Sequence, residues 1–170
     1  MRGVVSTGDK NTTNAAVEIL KMGGNAFDGA CAAMLMAPLS EPMLTSMGGG
    51  GFLMAYSKNF APRLYDFFVD VTPRRLKEPD FFPIYVDFGT AIQEFHIGAS
   101  SIAVPGMVAG IEKINKELGL LPLSEIIKPA LTLAKEGYYL SKLQASFVKL
   151  LEPILLSTPE AKKLYAKKID

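Results

Sequence analysis

The first candidate for chemistry is a run of four successive glycines, Gly48, Gly49, Gly50 and Gly51. A glycine-rich turn can direct backbone N–H groups at a phosphate or an oxyanion, because no side chain keeps the ligand away. However, no Lys-Ser/Thr pair follows, as a P-loop requires, and the glycines lead into a predicted strand instead of a helix. We therefore favour a structural loop threaded between packed layers over a phosphate site.

Thr12 and Thr13 lie at the start of a predicted helix, where a hydroxyl could act as a nucleophile. An uncleaved threonine has no base beside it, and hydroxyls at helix starts usually cap the helix. Capping is the favoured interpretation.

Three other positions carry reactive or charged side chains. Cys31 lies in an all-apolar segment where desolvation disfavours a thiolate, so we expect inert packing. His96 could be a general base, but no acid and nucleophile lie near it in sequence, which favours a hydrogen-bonded structural histidine. Arg74 and Arg75 could clamp a carboxylate, although adjacent arginines in a proline-rich loop are more often solvated. The residues alone therefore contain no complete catalytic set.

Composition limits the class of protein. The 170 residues suit one ordinary domain or half of a larger one, and 49% hydrophobic residues argue against disorder. A net charge of +1, without long runs of like charge, disfavours nucleic acid as the main partner. One cysteine and one histidine cannot form an intrachain disulfide or a Cys/His zinc site, so we expect no metal and no cofactor. The excess of apolar residues suggests that a partner covers some of the surface.

The longest apolar stretch, residues 29–39, is shorter than the roughly 20 residues that span a bilayer. The first ten residues contain no apolar core of signal-peptide length. We therefore expect no membrane span and a cytoplasmic location, or a periplasmic or secreted one if a leader has been removed.

The pattern predicts two helices before the glycines. The first covers residues 13–22, capped by one of residues 11–13, and its apolar stripe faces a core. The second begins after Asn25, carries Asp28 in its first turn and continues to about Ala37. It has no polar face, so we expect it to be buried on every side.

Strands and further helices follow. Residues 52–56 and 63–70 are predicted to pair, residues 72–83 to cross the surface, and residues 84–88 and 101–104 to form short strands. Helices are predicted over residues 107–118 and over residues 123–136, the latter kinked at Pro129. The tail is predicted as a helix pair broken at two prolines, with lysines on its solvated face: Pro153, Pro159, Lys162, Lys163, Lys167 and Lys168. The result is a layered α/β chain.

The order of these motifs resembles the amino-terminal region of γ-glutamyltranspeptidases. Gly-Gly-Asn-Ala-Phe-Asp-Gly-Ala at 23–30, Glu41-Pro42 and Gly-Gly-Gly-Gly-Phe-Leu at 48–53 carry the resemblance in combination. It continues to about residue 145, through Asp66-Phe67, Thr72-Pro73, residues 104–110 and residues 122–137.

The resemblance implies a fold and an activity. The fold is α/β (α+β), part of the four-layer αββα sandwich of N-terminal-nucleophile hydrolases. Residues 1–170 would be a single domain, the amino-terminal fragment of the helix-rich large subunit without the small subunit. The complete protein would cleave itself and then transfer a γ-glutamyl group from glutathione or a related amide to water or an amino acid. Its threonine nucleophile would lie outside this chain, so the chain alone would contain no catalytic residue and would be inactive.

The resemblance also implies partners: a glutathione-like substrate, and the small subunit or the rest of the same precursor. A rival hypothesis is a non-catalytic scaffold or interaction protein that retains the large-subunit fold. A phosphate-binding domain on the glycine loop is a distant third.

One substrate-binding position of the family falls within this chain. The family places an arginine for the α-carboxylate of the substrate after Asp-Phe, and Phe68 occupies that position here. An uncompensated carboxylate would bind poorly. Arg74 or another residue could compensate, the acyl group could differ as in the related cephalosporin acylases, or residues further along the chain could bind it.

Overall fold

The computed structural model describes residues 3–74 and 76–166. The chain divides into two compact units. The first comprises Met1–Asp70 with Ala103–Tyr139, and the second comprises Val71–Ile102 with Leu140–Asp170. The single domain expected over residues 1–170 stays a prediction.

Two helices open the first unit, α1 (Lys10–Lys21) and α2 (Ala26–Ser40). α1 begins at Lys10, earlier than predicted, because the carboxylate of Asp9 caps the helix there by accepting the N–H of Asn11 at 2.7 Å. The predicted cap of α2 is confirmed, since the Asn25 side chain accepts two backbone N–H groups at 2.8 and 3.0 Å. α2 continues past its predicted end to include Pro38, which costs one hydrogen bond in its last turn.

The paired strands of the first unit are β1 (Phe52–Ser57) and β2 (Phe60–Asp66), which run antiparallel. The predicted pairing is confirmed, but β2 begins and ends earlier than expected. The strand predicted over residues 101–104 is wrong: Ala99–Ser101 is a single 3-10 turn, and beyond it only Val104 pairs, with Asp70.

Helices α3 (Met107–Leu118), α4 (Leu123–Ile126) and α5 (Lys128–Glu136) complete the first unit. α3 has its predicted bounds. The single helix predicted over residues 123–136 is divided at Ile127, because Pro129 lacks an N–H and fits the first turn of a new helix. Fully buried isoleucines from three helices form the centre of the core: Ile19, Ile111, Ile114 and Ile126.

The second unit contains a hairpin of β3 (Phe82–Asp87) and β4 (Ile92–Ile97), with Gly89 at positive φ in the turn. The sequence patterns did not predict β4. The tail forms α6 (Lys142–Leu150), α7 (Glu152–Leu155) and α8 (Pro159–Tyr165), so breaks at both prolines give three helices instead of a pair. Lys162 and Lys163 are exposed, as predicted, and the other two lysines of that face, Lys167 and Lys168, lie outside the described residues.

Candidate functional site

The backbone groups of the glycine loop at 48–51 form hydrogen bonds with other backbone groups of the protein. The N–H of Gly51 donates to Phe67, and the N–H of Phe67 donates back to Gly51, at 3.2 and 3.1 Å. The carbonyl of Gly49 accepts the N–H groups of Gly106 and Met107 at 3.1 and 3.0 Å, which satisfies the start of α3. The N–H groups of Gly48 and Gly49 donate to Ser46, so three of the four loop N–H groups are not free to hold a phosphate, and the predicted structural loop is confirmed.

Gly50 explains why the loop needs glycine. A Cβ at this position would lie 2.5 Å from the carbonyl oxygen of Phe67 and 2.6 Å from the N–H nitrogen of Val69. Both neighbours are backbone atoms, which cannot turn aside as a flexible side chain would. The loop thus fixes the segment that carries Phe68.

The antiparallel pairing gives the β1–β2 hairpin two different faces. Leu53, Ala55 and Tyr65 point towards the helices and are wholly or largely buried. The opposite side, which we call the outer face, also carries Asp66 and Tyr56, and four of its apolar residues are each between 57% and 64% exposed: Phe52, Met54, Leu64 and Phe68. A contiguous exposed apolar surface of this kind usually marks an interaction site or a ligand site.

Phe68, the first predicted substrate-binding residue, lies on the outer face just beyond β2. Its N–H donates to the carboxylate of Asp66 at 3.0 Å, an Asx turn that holds the backbone. Its ring stacks on Phe52 with centroids 5.4 Å apart and an interplanar angle of 10°. The sequence did not reveal this stack, because the two phenylalanines become neighbours only through the pairing of Gly51 with Phe67.

Arg74, the second predicted substrate-binding residue, belongs to the second unit, whereas Phe68 belongs to the first. Arg74 is exposed, and its backbone N–H donates to the hydroxyl of Thr72 at 3.3 Å. Arg75, the other half of the proposed arginine clamp, lies outside the described residues. A binding role for Phe68 or Arg74 stays a prediction.

His96 lies on the surface of the β3–β4 hairpin. Its Nε2 is 3.5 Å from the Oε1 of Glu94, and its ring stacks on Phe81 with centroids 4.5 Å apart. Tyr85 is opposite Glu94 in the hairpin, and a hydrogen bond to Glu94 raises the pKa of the Tyr85 hydroxyl. These contacts hold the imidazole on the hairpin, and the hydrogen-bonded structural role expected of His96 stays a prediction.

Cys31 is fully buried in α2, and its Sγ is 3.8 Å from the carbonyl oxygen of Ile111. Burial, with a smaller contribution from the negative charge of Asp28, raises the pKa of the Cys31 thiol to about 12. The predicted inert role is confirmed, because a thiol with such a pKa is protonated near neutral pH.

The two threonines at the start of α1 do not cap it, so that interpretation is wrong. The hydroxyl of Thr12 is buried and lies 2.8 Å from the hydroxyl of Ser40 at the end of α2. The hydroxyl of Thr13 donates to the carbonyl of Asp9 at 3.2 Å and also contacts Thr7. Both threonine hydroxyls are therefore used to connect the start of α1 to other segments of the fold.

Asp28 has a structural role that its position in the sequence reveals only in part. Its carboxylate is fully buried and accepts the N–H of Asn25 at 2.9 Å, completing a capping box. It also accepts the N–H of Leu120 at 3.0 and 3.1 Å and the side-chain N–H of Asn115 at 3.4 Å. One side chain thereby joins the start of α2 to the turn after α3.

The described residues contain neither a metal-binding cluster nor a helix that could cross a membrane. No group of three or more His, Cys, Asp and Glu side chains in residues 3–74 and 76–166 could hold a metal ion. In the same part of the chain, every helix is too short or too polar to cross a bilayer.

Comparison with known proteins decides the family. The family model described as gamma-glutamyltranspeptidase matches residues 12–170, which is nearly the whole sequence. The chain belongs to the γ-glutamyltranspeptidase family. The resemblance noted in the motifs is therefore confirmed.

Individual relatives agree with this membership. The chain is 32% identical to the glutathione hydrolase proenzyme of Pseudomonas aeruginosa, over 85% of this chain and 25% of that protein. It is 30% identical to the Acylase ACY 1 proenzyme of a Pseudomonas species (strain V22), over 81% of this chain and 25% of that protein. The chain thus spans about a quarter of the length of these curated relatives.

A solved structure confirms the fold class. The γ-glutamyltranspeptidase of Helicobacter pylori superposes with a TM-score of 0.81 at 28% identity, covering 98% of this chain and 47% of that chain. The chain therefore has the mixed helix and sheet fold of N-terminal-nucleophile hydrolases, as the family resemblance implied.

Proposed function

We propose that this chain is the amino-terminal part of the large subunit of a γ-glutamyltransferase and glutathione hydrolase precursor. The observation that carries the proposal is the family match over residues 12–170, in a chain that spans a quarter of its relatives' length. In this proposal the complete protein transfers a γ-glutamyl group from glutathione or a related amide to water or an amino acid. The nucleophile is a threonine outside this chain, exposed at a new amino terminus by self-cleavage.

The residues of this chain supply a scaffold and one wall of the substrate pocket. The outer face supports that role, because four of its apolar side chains are more than half exposed and would be buried if another segment packed on them. The rest of the precursor, including the small subunit, is the proposed cover. A cytoplasmic location stays a prediction.

The division of labour can be tested by hydrolysis of γ-glutamyl-p-nitroanilide. We expect turnover from the product of the complete reading frame and none from the isolated 170-residue chain. Activity in the isolated chain would contradict a nucleophile outside it. A complete, folded product that releases no p-nitroaniline would favour the non-catalytic scaffold instead.

A second candidate activity, an acylase of the cephalosporin acylase type, is favoured by Phe68. An aromatic ring stacked on Phe52 cannot pair with the α-carboxylate of a γ-glutamyl group, whereas it can pack against an apolar acyl chain. The acylase proenzyme at 30% identity supports the same possibility. Arg74 is the residue of this chain that we propose as a compensating cation.

Donor preference separates the two activities. γ-Glutamyl and 4-aminobutyryl anilides differ only in the α-carboxylate, so their relative kcat/KM reports how far the enzyme uses that group. We expect similar values for the two donors. A large preference for the γ-glutamyl donor that disappears in Arg74→Ala, but not in an Arg63→Ala control, would assign carboxylate binding to Arg74.

A further inference from the structure

Phe67 is enclosed by glycines from two separate segments of the first unit. One pair belongs to the loop before β1 and the other pair to the start of α3: Gly50, Gly51, Gly106 and Gly110. The side chain of Phe67 is only 8% exposed. Backbone from both segments approaches Phe67 closely, which is possible because these four residues have no Cβ.

The ring of Phe67 packs against two of these glycines. A Cβ added at Gly110 would lie 2.6 Å from the Cβ of Phe67 and would also collide with its Cγ. A Cβ added at Gly51 would lie 3.2 Å from Cε2 and 3.7 Å from Cζ, at the far end of the ring. The ring therefore fills the space between α3 and the glycine loop, with a glycine at each end.

The backbone of Phe67 is held by the same glycines. Phe67 and Gly51 exchange two hydrogen bonds, at 3.1 and 3.2 Å. Cβ atoms at Gly50 and Gly106 would lie 2.5 Å from the carbonyl oxygen of Phe67 and 2.8 Å from its carbonyl carbon, respectively. The segment cannot slide along the glycine loop without breaking both hydrogen bonds.

This anchoring determines where Phe68 lies. Successive side chains of an extended backbone point to opposite sides, so the buried Phe67 places Phe68 on the outer face, where it is 57% exposed. The turn with Asp66 and the bridge between Asp70 and Val104 hold the two ends of the same segment. Because more than half of the Phe68 side chain is exposed, its position depends on how firmly its neighbours in the chain are held.

We propose that Phe67 is a positioning residue for the acyl donor, because it fixes the part of the pocket wall that Phe68 presents to the substrate. This inference rests on the proposed function, in which the outer face belongs to one wall of the pocket. Phe67 itself is buried on the opposite, helix-facing side and acts only through Phe68. Misplacement of a substrate-positioning group by about 1 Å costs as much as about 100-fold in rate.

The variant Phe67→Leu, made in the product of the complete reading frame, tests this role. It keeps the backbone hydrogen bonds but removes the far end of the ring, so Phe68 loses part of its support. For γ-glutamyl-p-nitroanilide we expect KM to rise about 10-fold and kcat to stay within about twofold, because the proposed nucleophile lies outside this chain.

Ile126→Val is the matched control for loss of core packing. Ile126 is fully buried, but it lies in α4, which packs against α2 and α5. We expect this variant to melt at a lower temperature than the unsubstituted product and to keep its KM. An unchanged KM in Phe67→Leu, or an equal rise of KM in Ile126→Val, would overturn the proposal.

A compensating substitution separates positioning from general destabilisation. Gly51→Ala, added to Phe67→Leu, places a methyl group where the end of the ring was, and we expect KM to return to within about threefold of its original value. Gly51→Ala alone should raise KM, because the methyl group presses on the intact ring. A double variant with a KM as high as that of Phe67→Leu would contradict the anchoring of Phe68 by the ring.

An indole at position 68 gives a readout that does not depend on activity. The 170 residues contain no tryptophan, so Phe68→Trp adds one, and the difference between the products with and without it isolates its fluorescence. We expect Phe67→Leu to lower the anisotropy of this fluorescence and Ile126→Val to leave it unchanged. Lowered anisotropy in a product that cleaves no anilide would uphold the anchoring of position 68 and contradict the proposed function. Unchanged anisotropy in an active product would overturn the anchoring alone.

Discussion

At the scale of single residues, the side chains that could be most reactive in the sequence have structural roles. The Cys31 thiol is buried, the Thr12 hydroxyl bonds to Ser40, and Asp28 joins two segments that are distant in sequence. Each of these groups has a partner that the sequence does not place beside it. Residue type and sequence position therefore predicted a structural use for these groups, whereas contacts between distant segments determine which partner each group bonds to.

Replacement of Asp28 by alanine should destabilise the chain by about 3 kcal/mol, because it removes a fully buried carboxylate and leaves the backbone N–H groups of Asn25 and Leu120 without their acceptor. Urea unfolding of the 170-residue chain measures this loss. Asp87→Ala is the control, since that exposed carboxylate accepts one N–H, from Gly89, and its loss should cost less than about 1 kcal/mol. Equal losses in the two variants would contradict the role assigned to Asp28.

The thiol of Cys31 should resist Ellman's reagent in the folded chain. Its raised pKa, about 12, means that the reactive thiolate is scarce below that pH, and burial blocks access. We expect no reaction at about pH 8 within the time in which the chain unfolded in guanidinium reacts completely. Fast labelling of the folded protein would show that α2 opens or that Cys31 is misplaced.

At the scale of elements, the sequence predicted most helices but fewer of the strands. Apolar periodicity and glycine or proline punctuation located α1, α2 and α3 to within a few residues. β4 was missed because Gln93, Glu94 and His96 interrupt its apolar pattern, and its pairing with β3 is what makes it a strand. The stack of Phe68 on Phe52 could not be predicted, because the register of the hairpin creates it.

The glycine loop allows a matched test of its structural role. Gly50→Ala should lower the free energy of unfolding by about 2 kcal/mol, because the new Cβ would meet backbone atoms of Phe67 and Val69. Gly48→Ala should change it little, since the nearest atom, the Ser46 Oγ, would be 3.4 Å away. Thermal unfolding should show Gly50→Ala melting roughly 4–8 °C lower. If Gly48→Ala melts as low as Gly50→Ala, the close approach of backbone atoms at Gly50 is not the reason that the loop consists of glycines. A general need for flexibility would then explain the composition of the loop.

At the scale of the whole molecule, the excess of apolar residues in the sequence has a location. Part of it lies on the outer face of β1 and β2, and part lines a groove of about 1060 Å³ between α1, α2 and β1. Both surfaces belong to the first unit. A chain with such surfaces is expected to self-associate when it is made alone and to be protected when the rest of a precursor covers it.

The double variant Met54→Lys with Leu64→Glu tests whether the outer face is covered in the complete protein. The two residues are directly opposite on adjacent strands and about 60% exposed, so the new charges can pair and should change the stability of the isolated chain by less than about 1 kcal/mol. We expect the isolated variant to aggregate less, because it loses apolar surface.

In the product of the complete reading frame, the same charges would be buried against the segment that covers the outer face, so folding and self-cleavage should fail. The volume-conserving variant Met54→Leu with Leu64→Met should leave both proteins unchanged. A complete product that folds and cleaves normally with the charged pair would mean that the outer face stays open to water, and that the apolar excess serves a partner outside the precursor.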